Sequence, residues 1–191
     1  MNQRIDIFTL LILLLLPASQ VFGQTNVSVF VEPYAIPSLP GLHSFAAAQY
    51  NGKWILIGGR TDGLHQRQPT TSFLSVNSNT KIYVVDPVLK NVWSASVTAL
   101  PVALSDQLQS TNMLFCYDSS KLYIAGGYGY SIAANDHKTY TSLVVVDLPG
   151  LVNAVVSANP VGSYFRQLND NLFALTGGQM AKLGDMFLMV G

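Results

Sequence analysis

The sequence is poor in charge and in cysteine. Only 10% of its 191 residues are charged, and ten basic residues balance ten acidic ones. Without a basic patch, nucleic acid and anionic membranes are poor candidates as partners. Cys116 is the single cysteine, so no internal disulfide can form, and stability must come from packing. Because Cys116 sits in an apolar run, we expect a buried, unreactive thiol.

Motifs for metal, phosphate and nucleophilic chemistry are also missing. The three histidines, His43, His65 and His137, do not have the spacing of a zinc site. The sequence has no phosphate-binding loop of the P-loop type and no serine nucleophile elbow. We therefore predict no metal and no cofactor, and expect binding more than catalysis.

The apolar run at the N-terminus is too short to span a bilayer. Phe8–Leu16 follows the positive Arg4 and precedes a short segment, Pro17–Gly23, that ends in small residues. A bilayer requires about 20 apolar residues, so residues 1–23 are predicted to be a secretory signal, cleaved between Gly23 and Gln24. An uncleaved membrane anchor is the alternative. The signal predicts export to the periplasm, cell surface or medium, with no stable membrane insertion after cleavage.

A repeated segment is the main feature of the remaining chain. Ser44–Gly59, Asn112–Gly127 and Gly177–Gly191 align without gaps, which places Gly58, Gly126 and Gly191 in one column. The spacing is 68 residues from Gly58 to Gly126 and 65 residues from Gly126 to Gly191. A long, nearly fixed period is the signature of a repeat architecture.

Each repeat has the pattern of a β-hairpin followed by two further strands. In the first repeat, Phe45–Tyr50 and Trp54–Ile57 flank Asn51-Gly52, which is a strong hairpin signal. A third strand is predicted at Ile82–Asp86 and a fourth at Val92–Val97. The corresponding predictions in the second repeat are a third strand at Leu143–Asp147, a turn at Leu148–Gly150 and a fourth strand at Val152–Val156. No helix is predicted after residue 23. Four antiparallel strands per period indicate an all-β propeller blade.

These residues resemble the kelch-repeat family of β-propellers. The first repeat has the glycine pair Gly58-Gly59, Tyr83 in the third strand, Asp86-Pro87 and Trp93. The second repeat keeps Gly126-Gly127 and Asp147 but has Ala154 at the tryptophan position. The resemblance implies that the glycines allow a tight backbone turn and that Trp93 packs between blades. We therefore expect structural roles, and not ligand binding, for the glycines and for Trp93.

The resemblance implies the division of the chain. Blades are expected at about 41–100 and 101–160, with a third begun at 161–191. An alternating strand at Val27–Glu32, within the segment 24–40, is expected to close the last blade of the ring. Propellers have about 4–8 blades, so we expect the chain to be the N-terminal part of a longer protein of about six blades.

The candidate binding residues lie in two long loops between the second and third strands, Arg60–Lys81 and Tyr128–Ser142. Both loops emerge on the same blade face, and loops of this length are often functional. Aromatic, charged and imidazole side chains there suit a sugar or a peptide. The candidates are Arg60, Asp62, His65, Arg67, Tyr128, Tyr130, Asp136 and His137.

Three functions follow from the resemblance. The first is an exported scaffold that binds a protein or a carbohydrate through these loops. The second is a periplasmic sugar mutarotase or epimerase, which requires an acid and a base in the central channel. The third and weakest is a copper oxidase of the galactose-oxidase type, for which Tyr128, Tyr130 and His137 are the only clustered residues of the required kinds.

Overall fold

The protein's computed structural model describes residues 27–63 and 72–191. Contacts divide the chain into two compact units, Met1–Ala35 and Ile36–Gly191. In the first unit, the described residues 27–35 are exposed and form no helix or strand. The strand predicted at Val27–Glu32 is therefore not formed here, because its alternating side chains have no paired neighbour to provide a ladder. The predicted signal segment lies outside the described residues.

The first repeat forms a four-stranded antiparallel sheet in chain order. Its strands are β1 (Ala46–Tyr50), β2 (Lys53–Ile57), β3 (Lys81–Asp86) and β4 (Asn91–Ser96). The β1–β2 turn has positive φ at both Asn51 (46°) and Gly52 (71°), the conformation of a two-residue type I′ hairpin. All four predicted strands of this repeat are confirmed, with boundaries shifted by one residue.

The second repeat forms an equivalent sheet, with an extra hairpin inserted between its second and third strands. The sheet contains β5 (Leu114–Tyr117), β6 (Lys121–Ala125), β9 (Ser142–Asp147) and β10 (Phe165–Asn169). The insertion is the pair β7 (Tyr128–Ser131) and β8 (Asp136–Thr139), where the sequence predicted a loop. The third repeat is the hairpin β11 (Gln179–Leu183) and β12 (Met186–Val190).

Two helices contradict the prediction that the chain after the signal contains none. Helix α1 is Val102–Leu108, and helix α2 is Leu148–Val156, where a turn and a fourth strand were predicted. The carboxylate of Asp147 accepts a hydrogen bond from the Gly150 amide and caps α2, and Pro149 lies in its first turn. The fourth strand is β10, further along the chain. No helix in the described ranges has the length and hydrophobicity needed to cross a bilayer.

The main core lies between the two sheets. Ile55 and Val84 of the first sheet belong to one buried cluster with Ile124 and Val144 of the second. Helix α2 contacts β1, β3 and β4 of the first sheet and β9 of the second, so it packs against both sheets. Trp93 packs against this core, as predicted for a packing residue.

A smaller core joins the opposite face of the second sheet to the third hairpin. It is built on Leu114, Ala125 and Met180. Cys116 packs against it and is half-buried rather than buried, and burial raises the pKa of its thiol. The thiol is thus held in its neutral, weakly nucleophilic form, as expected for an unreactive cysteine.

The three repeats are joined at one aligned position. The Asn112 amide donates to the Ser44 carbonyl at 3.1 Å, and the Gly177 amide donates to the Asn112 carbonyl at 2.8 Å. These are the first residues of the three aligned segments, and all have positive φ, at 56°, 55° and 74°. The repeats therefore share their junction geometry as well as their strand pattern.

The glycine pairs lie at these same junctions. The Gly59 amide donates to the Ser110 carbonyl at 2.8 Å, and the Gly127 amide donates to the Leu175 carbonyl at 2.9 Å. Both pairs have positive φ, and an added Cβ on Gly126 would collide with the Leu175 carbonyl oxygen. Absence of a side chain is thus required for each repeat to contact the next.

Candidate functional site

A cavity of about 470 Å³ opens at the junction between the first and second repeats. This volume is within the range of about 300–1,000 Å³ typical of small-molecule pockets. Residues from three parts of the chain line it: the segment before β1, the segment after β2, and the segment before β5. The lining residues are His43, Ser44, Arg60, Gly63, Phe73, Thr111 and Asn112.

Arg60 and Asp62 form a bidentate ion pair beside the cavity. Nε of Arg60 donates to Oδ1 of Asp62 at 2.8 Å, and Nη2 donates to Oδ2 at 2.6 Å. Arg60 is only 2% exposed, and its bridges to His43 and Ser78 fix its backbone. Burial of this cation is tolerated because the carboxylate neutralises it.

Two further side chains surround the Asp62 carboxylate. Nδ2 of Asn77 donates to Oδ2 at 3.0 Å. Nε2 of His43 lies 3.4 Å from Oδ1, within ion-pair distance for a protonated ring but without hydrogen-bond alignment. The pKa of Asp62 is lowered to about 2, mainly by the hydrogen bonds from Arg60 and with help from its charge, against the opposing effect of burial. Asp62 is therefore an anion at neutral pH and a weak base.

Thr111 brings a buried hydroxyl to the cavity wall. The residue is 3% exposed, and Oγ1 has no hydrogen-bond partner among the residues that the structure describes. Its backbone amide and carbonyl are both paired with Tyr128, at 2.9 Å each. A buried hydroxyl without a partner is costly, so it marks a position where a ligand could supply one.

Phe73 forms the aromatic wall of the cavity. Its φ of 61° is unusual for a bulky residue, and such strain is retained only where surrounding contacts impose it. Nε2 of His137 donates to the Phe73 carbonyl at 2.7 Å, and the Tyr128 ring meets the Phe73 ring edge-on at 5.3 Å. On the other side, the Arg60 guanidinium lies 5.5 Å from the Phe73 ring centre.

Contacts among aromatic side chains stabilise the β7–β8 hairpin. The His137 ring stacks on Tyr128 and meets Tyr130 edge-on. The Tyr140 hydroxyl donates to the Tyr130 carbonyl at 2.7 Å, and burial raises the pKa of Tyr140. The hairpin thus acts as a rigid support for the loop that contains Phe73.

The structure brings together five of the eight residues predicted from the sequence. Arg60 lines the cavity and Asp62 pairs with it, whereas Tyr128 and His137 support Phe73 and Tyr130 contacts His137. The exposed Asp136 accepts from its neighbour's amide and does not line the cavity. His65 and Arg67 lie outside the described residues.

Sequence reasoning missed six of the seven lining residues of the site: His43, Ser44, Gly63, Phe73, Thr111 and Asn112. His43 and Thr111 occupy one alignment column, directly before Ser44 and Asn112. This shared column could have identified both residues as neighbours, because equivalent positions in adjacent repeats meet at the junction. Phe73 gave no comparable signal, since its position depends on contacts with Tyr128 and with His137, which is 64 residues away.

No group of three or more His, Cys, Asp or Glu side chains is arranged to hold a metal ion within residues 27–63 and 72–191. Neither the family models nor the curated proteins include a match to this chain. The function must therefore be argued from the geometry of the cavity.

Proposed function

We propose that the repeats are blades of a kelch-type β-propeller. The two four-stranded sheets have the same strand order, pack face to face and are joined by equivalent backbone hydrogen bonds. The two sheets contact each other where β1 meets β5 and β6, whereas helix α2 packs on β3 and β4 of the first sheet and on β9 of the second. Blades that converge on one side and diverge on the other are what a propeller requires.

On this architecture, the protein is a binding scaffold that acts outside the cytoplasm, and its ligand is a carbohydrate or a protein segment. One observation carries the proposal: the junction cavity combines a strained aromatic wall with a buried hydroxyl that has no described partner. Both features cost folding free energy, and a ligand that covers Phe73 and pairs with Thr111 offsets that cost.

The mutarotase or epimerase alternative is less well supported. Such an enzyme requires a side chain that accepts a proton near neutral pH. Asp62 is the carboxylate that contacts the cavity-lining residues Arg60 and His43, and its pKa of about 2 makes it a poor proton acceptor. Of the acid and base that the reaction requires, the lining residues then offer only the imidazole of His43. The copper-oxidase alternative has less support again, because the His137 ring stacks on Tyr128, meets Tyr130 edge-on and has its Nε2 bonded to the Phe73 carbonyl.

A binding screen with two matched variants tests the scaffold function. The full chain is applied to glycan and peptide arrays, and each hit is titrated by calorimetry. We expect Phe73→Ala to weaken binding at least tenfold, because it removes the cavity wall. Tyr117→Ala removes an aromatic side chain that is 48% exposed and lies away from the cavity, so it should leave the affinity unchanged. Equal affinities for the two variants would place the ligand elsewhere and refute the proposed site.

A further inference from the structure

We infer that the junction cavity takes an uncharged, polyhydroxylated ring, that is, a neutral sugar residue. The inference rests on the proposed binding function and names the ligand class for that site. Three properties of the cavity support it: its ion pair is neutral overall, the buried polar atoms of its lining residues that have no described partner are a hydroxyl oxygen (Thr111) and an imidazole nitrogen (His43), and its wall is aromatic.

The charges beside the cavity neutralise one another. The buried Arg60 guanidinium uses Nε and Nη2 on the Asp62 carboxylate, which also accepts from Asn77. A ligand carboxylate or phosphate would enter beside the Asp62 anion, and a ligand ammonium would enter beside the Arg60 cation. Either charge would lose its hydration beside a pair that has no net charge to offset the loss. The pair therefore favours a ligand without charge.

Two lining residues have a buried polar atom without a described partner: Thr111 with Oγ1 and His43 with Nε2. The Thr111 hydroxyl is the one that both donates and accepts. Its backbone groups are used by Tyr128, so only Oγ1 is free of a described partner. A hydroxyl both donates and accepts, and the same is true of each hydroxyl on a sugar ring. Oγ1 is buried just below the cavity surface, so a rotation of the Thr111 side chain is needed to expose it. One ligand hydroxyl then satisfies a group whose burial is otherwise uncompensated.

Phe73 supplies the complementary apolar surface. The His137 hydrogen bond and the Tyr128 contact fix its backbone and ring before any ligand arrives. A sugar ring has an apolar face of C–H groups, and a preformed aromatic wall can cover that face with little loss of conformational entropy. A peptide segment lacks this pairing of a flat apolar face with hydroxyls around its edge.

The test measures affinities for a defined set of probes. Methyl glycosides of neutral hexoses are compared with glucuronic acid, with glucosamine, and with acidic, basic and aromatic peptides by calorimetry on the full chain. We expect a neutral glycoside to bind, and the matching uronic acid to bind about tenfold more weakly or not at all.

Two hydroxyl deletions separate ligand binding from folding. Thr111→Val keeps the β-branched shape and removes Oγ1, so we expect glycoside affinity to fall about 2- to 10-fold. The melting temperature of the Thr111→Val variant should stay the same or rise, because the substitution removes a buried hydroxyl that has no partner. Ser110→Ala is the matched control: Ser110 is 1% exposed and its hydroxyl also has no described partner, but it does not line the cavity. Its glycoside affinity should be unchanged.

Each contrary outcome has a distinct meaning. If peptides or charged sugars bind in a Phe73-dependent manner and neutral glycosides do not, the sugar inference is wrong and the binding function stands. If Thr111→Val and Ser110→Ala weaken binding equally, Thr111 acts on the fold and the inference is also wrong. If no probe of any class binds, both the inference and the proposed function are overturned.

Discussion

The glycine pairs give the sharpest test of the repeat junctions, because two glycines with similar backbones differ in their surroundings. Gly126 (φ 63°) and Gly52 (φ 71°) both have left-handed conformations. An alanine Cβ at Gly52 would have no described atom within 4 Å. At Gly126 it would collide with the Leu175 carbonyl oxygen and lie 2.7 Å from that of Phe173. The pair of substitutions separates backbone strain from junction packing.

The two costs can be worked out separately. Positive φ costs an alanine about 1–2 kcal/mol, so Gly52→Ala should destabilise the protein by about that amount. Gly126→Ala has the same strain, and the added atom must also displace two backbone carbonyls rather than a flexible side chain. Overpacking of this kind costs about 1–3 kcal/mol more, so the total should be about 2–5 kcal/mol.

Urea unfolding of the full chain, followed by circular dichroism, measures both free energies. The slope of unfolding free energy against urea should be unchanged in both variants, so that midpoints report stability directly. Gly126→Ala should also weaken the bond from the Gly127 amide to Leu175, and faster hydrogen exchange at Gly127 would detect that loss. If the two variants are equally stable, the glycine pair has no special role at the junction and the reasoning is refuted.

Two further predictions concern single carboxylates. The folded-state pKa of Asp62, about 2, lies below the ordinary 3.8, so its ion pair contributes stability above pH 4 that is lost as the pH falls from about 4 to 2. The difference in unfolding free energy between the wild type and Asp62→Asn should therefore shrink by about 1–2 kcal/mol on acidification from pH 5 to pH 2. A difference that does not change with pH would contradict the lowered pKa of Asp62. Asp147→Ala should lower the free energy of urea unfolding by about 1 kcal/mol, because it removes the cap of α2. Asp185→Ala, at an exposed turn, is the control and should leave that free energy almost unchanged. Equal losses of stability in the two variants would argue against the cap.

Local signals in the sequence were sufficient to predict the β-hairpins of the repeats. Asn51-Gly52 tolerates positive φ at both positions, which fixes a two-residue turn and the register of β1 with β2. Helix α2 was missed because Val152, Val155 and Val156 favour a strand by propensity. A helix forms instead of a strand because Asp147 caps it and because its apolar stripe, including Leu148 and Leu151, is buried against both sheets.

The candidate site was predictable only in part, for a physical reason. Arg60 and Asp62 are two residues apart, so composition of one loop was enough to suggest them. Phe73 and Thr111 reach the same cavity through long-range packing, by way of the β7–β8 hairpin and the repeat junction. Contacts between residues distant in sequence leave no local pattern, so Phe73 emerges only from the three-dimensional arrangement, and the one sequence signal for Thr111 was its alignment column with His43.

The bonds that link Ser44, Asn112 and Gly177 to one another join main-chain atoms, and the Thr176 hydroxyl adds one side-chain bond to the Asn112 carbonyl. The three residues share no side-chain chemistry, yet each occupies the same place in its repeat. Alignment of neighbouring repeats is therefore independent of what the side chains at these positions are, provided that each residue tolerates a left-handed backbone. Side chains beside the junction, such as His43 and Thr111, are then free to differ between repeats. One repeat pair can acquire a pocket with its own selectivity while the next retains a purely architectural contact.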